Sequence, residues 1–410
     1  MTNSPGVVKR PTEIGGEIKQ GLFLLFEGLP PTIIESQVIS HLHAMEGLGI
    51  FMEAWAFVGS RRPLMRTRAA GVCLSEEYSV KIKVFRGFRP ALPFSEVLNA
   101  ILLVRYMRER DTLPDFVHAR TEYSTAVAAI AKRATPFNLI WDDRGDSYSE
   151  FKSKSIGLPV PLRLLAPFKQ AAIKKRLRIA GKRCDAAIFV SKQLERLHGS
   201  LISEAKRVVA PCVADESLFY YSEELRAKAR TEMGYKSADI VICYVGSTAR
   251  WQCIDETISL MERAIRSNCC AKALLITPAS NHDELMSLCS PETRSRITIE
   301  SSTLKGINYF LNAADYGVLI RKRNSINWVA SPVKYAEYSL AGLTVITTGA
   351  VAQVVEFGNK IDNIVSPETF DARSREARKS SVFRDTIAKR SRALLGRKSV
   401  MSQMAELYLK

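Results

Sequence analysis

The sequence predicts an α/β chain made of two doubly wound, Rossmann-like parallel sheets that face one another across a cleft. Two observations predict it. Apolar strand-like runs alternate with amphipathic helical runs from Gly21 to Val365, and the alternation restarts after a charged helical stretch, Asp215 to Gly234. A chain of 410 residues is also longer than one core comfortably fills, so two domains of ordinary size are expected. We place an N-terminal domain over residues 1–214, a connector over 215–236, a second domain over 237–385 and a closing helix over 386–410 that packs back on the first domain.

In the first series, Gly21 to Phe26 (GLFLLF) reads as a strand, stopped by the breakers of Glu27-Gly28-Leu29-Pro30-Pro31. Ile34, Val38, Leu42 and Met45 then recur at helical spacing within Thr32 to Leu48, and Gly49 ends that helix. Ile50 to Val58 is the next apolar run. Tyr78 to Phe85 is strand-like, Pro93 to Arg110 helical, and Phe116 to Ala119 a short strand carrying His118 and leading into Arg120. A helix from Glu122 to Arg133 precedes Phe137 to Trp141 (FNLIW), a buried strand followed at once by Asp142-Asp143-Arg144-Gly145-Asp146. We read those acids as a turn or a helix cap. Ala186 to Val190 is a strand, Ser191 caps a helix through Leu197, and Val208 to Val213 closes this half.

The second series opens with the strand Asp239 to Val245, ended by Gly246-Ser247. Helices at Asp255–Arg266, His282–Leu288 and Leu304–Ala313 alternate with strands at Ala271–Thr277, Ile297–Glu300 and Tyr316–Ile320. Next comes Ser331 to Gly349 (SPVKYAEYSLAGLTVITTG). Ser331 suits an N-cap and Pro332 the first helical position, which leaves the amides of Val333 and Lys334 free. Those amides, the helix dipole and the Lys334 ammonium favour an anion such as a pyrophosphate. Glu337 lies on nearly the same face as Lys334, and its carboxylate can accept two hydrogen bonds from a ribose diol. Gly342 ends the helix and Thr344 to Thr348 is a strand buried on both faces. An ordinary amphipathic helix with Ala336, Tyr338 and Leu340 turned inward reads equally well from the same residues. A helix over Val351–Phe357, a short strand at Asn363–Val365 and a helical tail complete the chain.

Ligands of such sheets bind beyond the carboxyl ends of the strands. That rule gathers Glu27 and Gly28, His118 to Arg120, Asp142 to Gly145, Gly246 and Ser247, Arg321, and Ser331 to Glu337 at one cleft.

Composition narrows the partners. The net charge of +17 calls for an anionic one. The densest basic run, Lys169 to Arg183, has Leu164, Leu165, Phe168, Ile173, Leu177 and Ile179 interleaved; it is either a helix lying on anionic lipid or a solvated helix packed on its own domain. No zinc finger, RNP-like strand or recognition helix supports a nucleic-acid partner. Eight cysteines are scattered without CxxC or zinc spacing, the pattern of reduced thiols in a cytoplasmic protein. The polar N-terminus lacks the apolar core of an export signal, and no apolar run is long enough to span a membrane.

At this point the chain resembles the GT-B glycosyltransferases, and is most similar to the large family 4 group of retaining sugar transferases. The resemblance rests on Tyr244-Val245-Gly246-Ser247 followed by Trp251, on Ala313 to Arg321, and on Ser331-Pro332 with Lys334, Glu337, Tyr338 and Gly342. His118 with Arg120, and Asp142 with Arg144-Gly145 and Glu150, look like patterns of the polysaccharide-assembly members. The family's usual pair of glutamates is incomplete: the position eight before Glu337 is Val329, so the resemblance assigns the ribose to Glu337 and leaves sugar recognition to other groups.

The resemblance implies transfer of a sugar, with retention, from a nucleotide-diphosphate sugar to a growing glycan or lipid-linked acceptor in polysaccharide biosynthesis. It implies a cytoplasmic enzyme, held by its basic helix at the inner face of the membrane. Lys334, Arg321 and Arg250, with Ser331, Val333, Gly246 and Ser247, would hold the diphosphate, so no obligatory cofactor or metal is expected. An exposed surface charge is the simpler reading of Arg250. His118 would bond the donor sugar or phosphate, unless it is structural; Arg120 would orient an acidic neighbour; Glu27, Gly28, Asp142, Arg144 and Gly145 would line the acceptor side. Two other readings stand beside this one: a sugar-nucleotide epimerase of the same architecture, and a transferase-like binding module without activity, which the missing glutamate favours.

Overall fold

A computed structural model of the chain describes residues 19–26, 28–29, 34–372 and 380–409. Seven strands, β1 (Lys19–Leu25), β2 (Ile50–Val58), β3 (Ile82–Arg86), β4 (Phe116–Arg120), β5 (Asn138–Asp143), β6 (Ala186–Phe189) and β7 (Lys206–Val209), form one sheet in the order β3-β2-β1-β4-β5-β6-β7. Six more, β8 (Ile240–Val245), β9 (Ala271–Ile276), β10 (Ile297–Glu300), β11 (Tyr316–Leu319), β12 (Thr344–Thr347) and β13 (Ile364–Val365), form a second in the order β10-β9-β8-β11-β12-β13. Every pairing is parallel. Helices cover both faces, which is why central strands such as β8 (IVICYV) are buried at every position instead of alternating. The order reverses between β1 and β4, and again between β8 and β11. At those points the connections leave in opposite directions and open a crevice.

Three local readings change. The helix expected over Thr32 to Leu48 is wound as a π-helix over Ile34–Ile39 before becoming α-helical over Ser40–Glu46. A helix at Arg61–Tyr78, unread from the sequence, fills the connection to β3 and takes Tyr78 out of the strand; its arginine-rich surface gives little apolar period. Asp142 and Asp143 are neither turn nor cap. They are the last two residues of β5, while Asp146 caps the next helix by accepting from the Ser149 N–H at 3.0 Å.

The chain passes between the two sheets twice, side by side. The Ala214 N–H bonds the Leu395 carbonyl at 3.3 Å, the Arg397 N–H bonds the Ala214 carbonyl at 3.1 Å, and the Arg397 guanidinium pairs with Asp215 at 2.7 Å. The helix Ser381–Leu395 stays with the second sheet, where Ile387 and Leu395 are core residues. The last helix, Arg397–Ala405, lies against the first sheet: Val400, Met401, Met404 and Tyr408 share a core with Met45, Ile50, Phe116 and Ile140.

Candidate functional site

The second domain's half of the cleft is built on the helix Val333–Leu340. Tyr338, inside its buried face, fixes its height. The Tyr338 hydroxyl accepts from the Val245 N–H at the end of β8 at 3.0 Å, and Gly317 in β11 makes the ring fit, since a Cβ there would stand 2.4 Å from it. Pro332, with extended backbone, is the N-cap. Ser331 does not cap: its hydroxyl accepts from the Cys212 N–H at 2.8 Å, tying this loop to the first domain.

Lys334 folds back over the glycine turn that ends β8. Its ammonium donates to Gln252 Oε1 at 2.9 Å and lies 4.6 Å from the Tyr244 ring centre, and a Cβ on Gly246 would approach it to 2.2 Å. Gly246 also has φ +150, a backbone conformation that favours glycine. Arg321, just beyond β11, is the second cation. Among the described residues neither has a carboxylate within salt-bridge reach, and Arg321 satisfies itself on its own chain, donating to the Ile320 carbonyl at 3.1 Å. Burial, then the neighbouring Arg321, lowers Lys334 to about 7, with Glu337 opposing. Burial lowers Arg321 as well. Burial raises Glu337 to about 7, with Lys334 pulling the other way. Two partly buried cations thus lie together while the one nearby carboxylate, Glu337, acts on Lys334 alone, an arrangement that an incoming dianion would relieve.

Other second-domain residues divide. Ser247 accepts the Tyr244 hydroxyl at its carbonyl, 2.7 Å away, and stays in the glycine turn. Arg250 sits exposed on the short 3-10 turn Arg250–Gln252, the turn whose Gln252 accepts from Lys334. Val333 and Glu337 wall a pocket with Ser36 and Ser40 of the first domain, Phe219 of the connector and Leu304.

The first domain contributes a buried polar network at the ends of β4 and β5. Asp142 Oδ2 lies 3.3 Å from His118 Nε2 and 3.9 Å from the Arg120 guanidinium, and its other oxygen lies 3.4 Å from Arg144. Burial alone would raise the Asp142 carboxyl, but Arg144, His118 and Arg120 outweigh it and hold the group well below the usual range. Arg144 reaches further, to Gln37 at 2.8 Å and the Cys212 sulfur at 3.0 Å. Since the Cys212 N–H binds Ser331, the two half-sites meet at this one residue.

His118 is placed differently from its expected role against the donor. It is 1% exposed, stacked on Phe23 with ring centres 4.3 Å apart, and its Nδ1 is 2.7 Å from the Tyr408 hydroxyl. The same hydroxyl lies 3.1 Å from His41 Nε2, and burial followed by the charge of His118 drives His41 well below the usual histidine value. His118 thus lies between the Asp142 carboxylate on its Nε2 side and the Tyr408 hydroxyl on its Nδ1 side. Gly28 sits beyond β1 with φ +75; Gly145 follows β5, with Glu150 3.3 Å from where its Cβ would be; Glu27 lies outside the described residues. Gln37, His41, Gln252 and Tyr408 were missed. Nothing in the sequence distinguishes Tyr408 from any other tail residue.

No family model and no characterised sequence relative matches the chain. Solved structures do, over nearly its whole length. Alr3699/HepE from Anabaena, in complex with UDP, matches with a TM-score of 0.66 at 14% identity, covering 94% of this chain and 98% of that one. A glycosyltransferase from Rickettsia africae ESF-5 matches with a TM-score of 0.66 at 14% identity over 95% and 98%. The chain has the GT-B fold. WaaG, a glycosyltransferase involved in lipopolysaccharide biosynthesis, shares it with a TM-score of 0.60 at 13% identity over 95% and 99%.

Within this GT-B arrangement the two domains touch through the loop before the Val333 helix. The Ser191 hydroxyl donates to the Val329 carbonyl at 2.6 Å, and the Val329 side chain joins the first domain's core. A hydrophobe at this position is thus part of the domain contact.

Proposed function

We propose that the chain is a glycosyltransferase that takes a sugar from a nucleotide-diphosphate donor and passes it to a glycan or lipid-linked acceptor. The observation that carries this reading is the under-compensated cation pair Arg321 and Lys334 at the second domain's switch point. A departing diphosphate gathers negative charge in the transition state, and preformed cations with the amides of Val333 and Lys334 stabilise it there without reorganising. Lys334 also regains its ordinary basicity beside a diphosphate, which couples binding to proton uptake. Glu337 accepts the ribose diol, with Leu304 and Val333 as apolar walls.

The pocket at Glu337 encloses only about 60 Å³, against roughly 300 Å³ or more for sites of small ligands. Donor entry therefore requires the domains to part, breaking the Ser191–Val329 and Cys212–Ser331 hydrogen bonds. In that scheme Arg144 faces the acceptor, while His118, Arg120 and Tyr408 position Asp142 beneath it. Retention at the anomeric carbon is carried over from the family resemblance; NMR of the product anomer checks it. Held at the domain contact, Val329 favours as second reading a module that binds nucleotide without turnover.

Membrane association follows from the helix Ala166–Arg183. It packs Ile173, Leu177 and Ala180 inward and buries Arg176 on Glu96, yet leaves Phe168 75% exposed beside exposed Leu164 and Leu165. Between Ile156 and Cys184 there is no acidic residue. An apolar tip on a cationic shaft suits an anionic leaflet, where a lipid-linked acceptor resides. Among the described residues no helix is long and apolar enough to cross a membrane.

A thermal-shift screen of nucleoside diphosphates tests the site. One base is expected to stabilise the protein selectively, and Glu337→Ala to weaken that binding by about 1–3 kcal/mol, the scale of a lost charged hydrogen-bond partner. Unchanged affinity in Glu337→Ala removes the ribose assignment.

A further inference from the structure

A cavity of about 660 Å³ lies at the carboxyl ends of β11 and β12, lined by Arg323, Asn324 and Trp328 of the segment after β11, Gly349 and Glu356 beyond β12, and Gln193 of the first domain. Three features of its wall point to one ligand chemistry. Trp328 is 52% exposed, offering an indole face to the cavity. Gln193 Oε1 is buried without a hydrogen-bond partner, an acceptor whose desolvation nothing in the protein repays. The remaining polar groups are mixed in sign: Arg323 is a cation, Asn324 an amide, and Glu356 a carboxylate already neutralised by Lys192 at 2.8 Å and Lys360 at 2.9 Å.

An anion offers no donor to Gln193 Oε1, and an apolar ligand would leave that buried acceptor unpaired. A pyranose fits all three features. Its hydroxyls both donate and accept, so one can donate to Gln193 Oε1 while others accept from Arg323, and the C–H face of the ring packs on an indole. The position agrees: Trp328 directly precedes Val329, on the loop that leads into the Val333 helix. We infer that this cavity is a saccharide subsite in which Trp328 stacks against a sugar ring and Gln193 accepts one of its hydroxyls. The inference rests on the transferase reading, because it supplies the sugar recognition for which Val329 has no side-chain acceptor.

Intrinsic fluorescence reads the site directly. Of the four tryptophans, Trp55 and Trp141 are buried and Trp251 is 66% exposed, so a Trp251→Phe background leaves Trp328 as the exposed indole. The full chain is titrated with tri- and tetrasaccharides of glucose, galactose, mannose and N-acetylglucosamine, and separately with UDP and UDP-glucose. A saturable shift with at least one free saccharide is expected, weakened tenfold or more by Gln193→Leu, with the UDP isotherm unchanged. A shift with UDP-glucose but with neither UDP nor free saccharides assigns the cavity to the donor's own sugar. Absence of any shift with saccharides or UDP-glucose, or a saccharide isotherm indifferent to Gln193→Leu, overturns the inference. Trp328→Ala, followed by calorimetry, supplies the same decision if Gln193→Leu misfolds. Glu337→Ala separates the two readings: it should weaken UDP binding and leave the saccharide isotherm intact, whereas wild-type protein that binds saccharide but no nucleoside diphosphate refutes the transferase reading alone.

Discussion

Replacing Lys334 by methionine should stabilise the protein and impair nucleotide binding. The stem is conserved and the charge removed. In the fold Lys334 is lowered to about 7, against about 10.4 in an unfolded chain, and each pH unit between them is worth about 1.36 kcal/mol. A lysine lowered in this way penalises folding fully below pH 7; the penalty shrinks as pH rises and is gone above about 10. At pH 7 it amounts to about 4 kcal/mol, as an upper bound. Lys334 keeps some contact with solvent, and screening there reduces the gain to about 2 kcal/mol. Glu337 offsets little, because burial has already raised it to about 7 and losing its cation leaves it protonated. About 2 kcal/mol in domains of this size is a Tm rise of about 4–8 °C. The same substitution removes a charged contact to the diphosphate worth about 1.5–3 kcal/mol, which is most of the stabilisation that nucleotide at 100 times its Kd provides. Differential scanning fluorimetry at pH 7 and at pH 10, with and without UDP, reads both effects. A lower Tm at pH 7, or a UDP shift as large as in the wild type, would refute the assignment of Lys334 as a strained charge held for the diphosphate.

The remaining predictions concern the scaffold and the surface. Asp315, at the start of β11, is surrounded by Arg226 at 2.6 Å, Arg230 at 3.5 Å and Arg384 at 3.8 Å; Asp315→Ala should cost about 3–5 kcal/mol by leaving buried guanidiniums uncompensated. Burial opposes but these arginines prevail in lowering Asp315, so its contribution is present above about pH 4 and disappears as the pH falls below it; chemical denaturation at pH 7 and pH 3 measures both. Tyr408→Phe removes the hydroxyl between His118 and His41 and should cost about 1–3 kcal/mol in urea unfolding; a neutral result would mean that water replaces it without loss. Neutralising Lys174, Lys175, Arg178 and Lys182 should weaken binding to anionic vesicles in a salt-dependent way, and Phe168→Ser in a salt-independent one. Sedimentation with vesicles of mixed neutral and anionic lipid distinguishes them, and unaltered binding in both variants would assign the helix to another partner.

Much of the fold was legible because its periods are strong. The apolar runs of β8, β9 and β12 and the glycine turns that follow strands mark a parallel sheet with helices on both faces, and both sheets were readable as successive series. What failed had weak periods: the arginine-rich helix Arg61–Tyr78 has no clean apolar stripe, and Asp142-Asp143 reads as a turn because an acidic pair rarely ends a buried strand. The pair is tolerated there because Arg120, Arg144, His118 and His198 compensate it, His198 pairing with Asp143 at 2.7 Å.

The candidate site divides along the same line. Helix starts and strand ends are local, so the sequence by itself determined the Lys334 and Glu337 face, the glycine at position 246 and the placing of His118, Arg120, Asp142 and Arg144 at strand ends. Which groups those side chains meet depends on contacts between residues far apart in the chain. Only the tertiary structure decided that Tyr408 occupies His118, that Lys334 turns to Gln252 and shares its surroundings with Arg321, that Ser331 is bound to Cys212 instead of capping a helix, and that Trp328 and Gln193 from different domains face one cavity. The physical reason is that periodicity encodes which face of an element is buried, whereas the pairing of polar groups is fixed by crossovers that bring the ends of β1 and β4, and of β8 and β11, together.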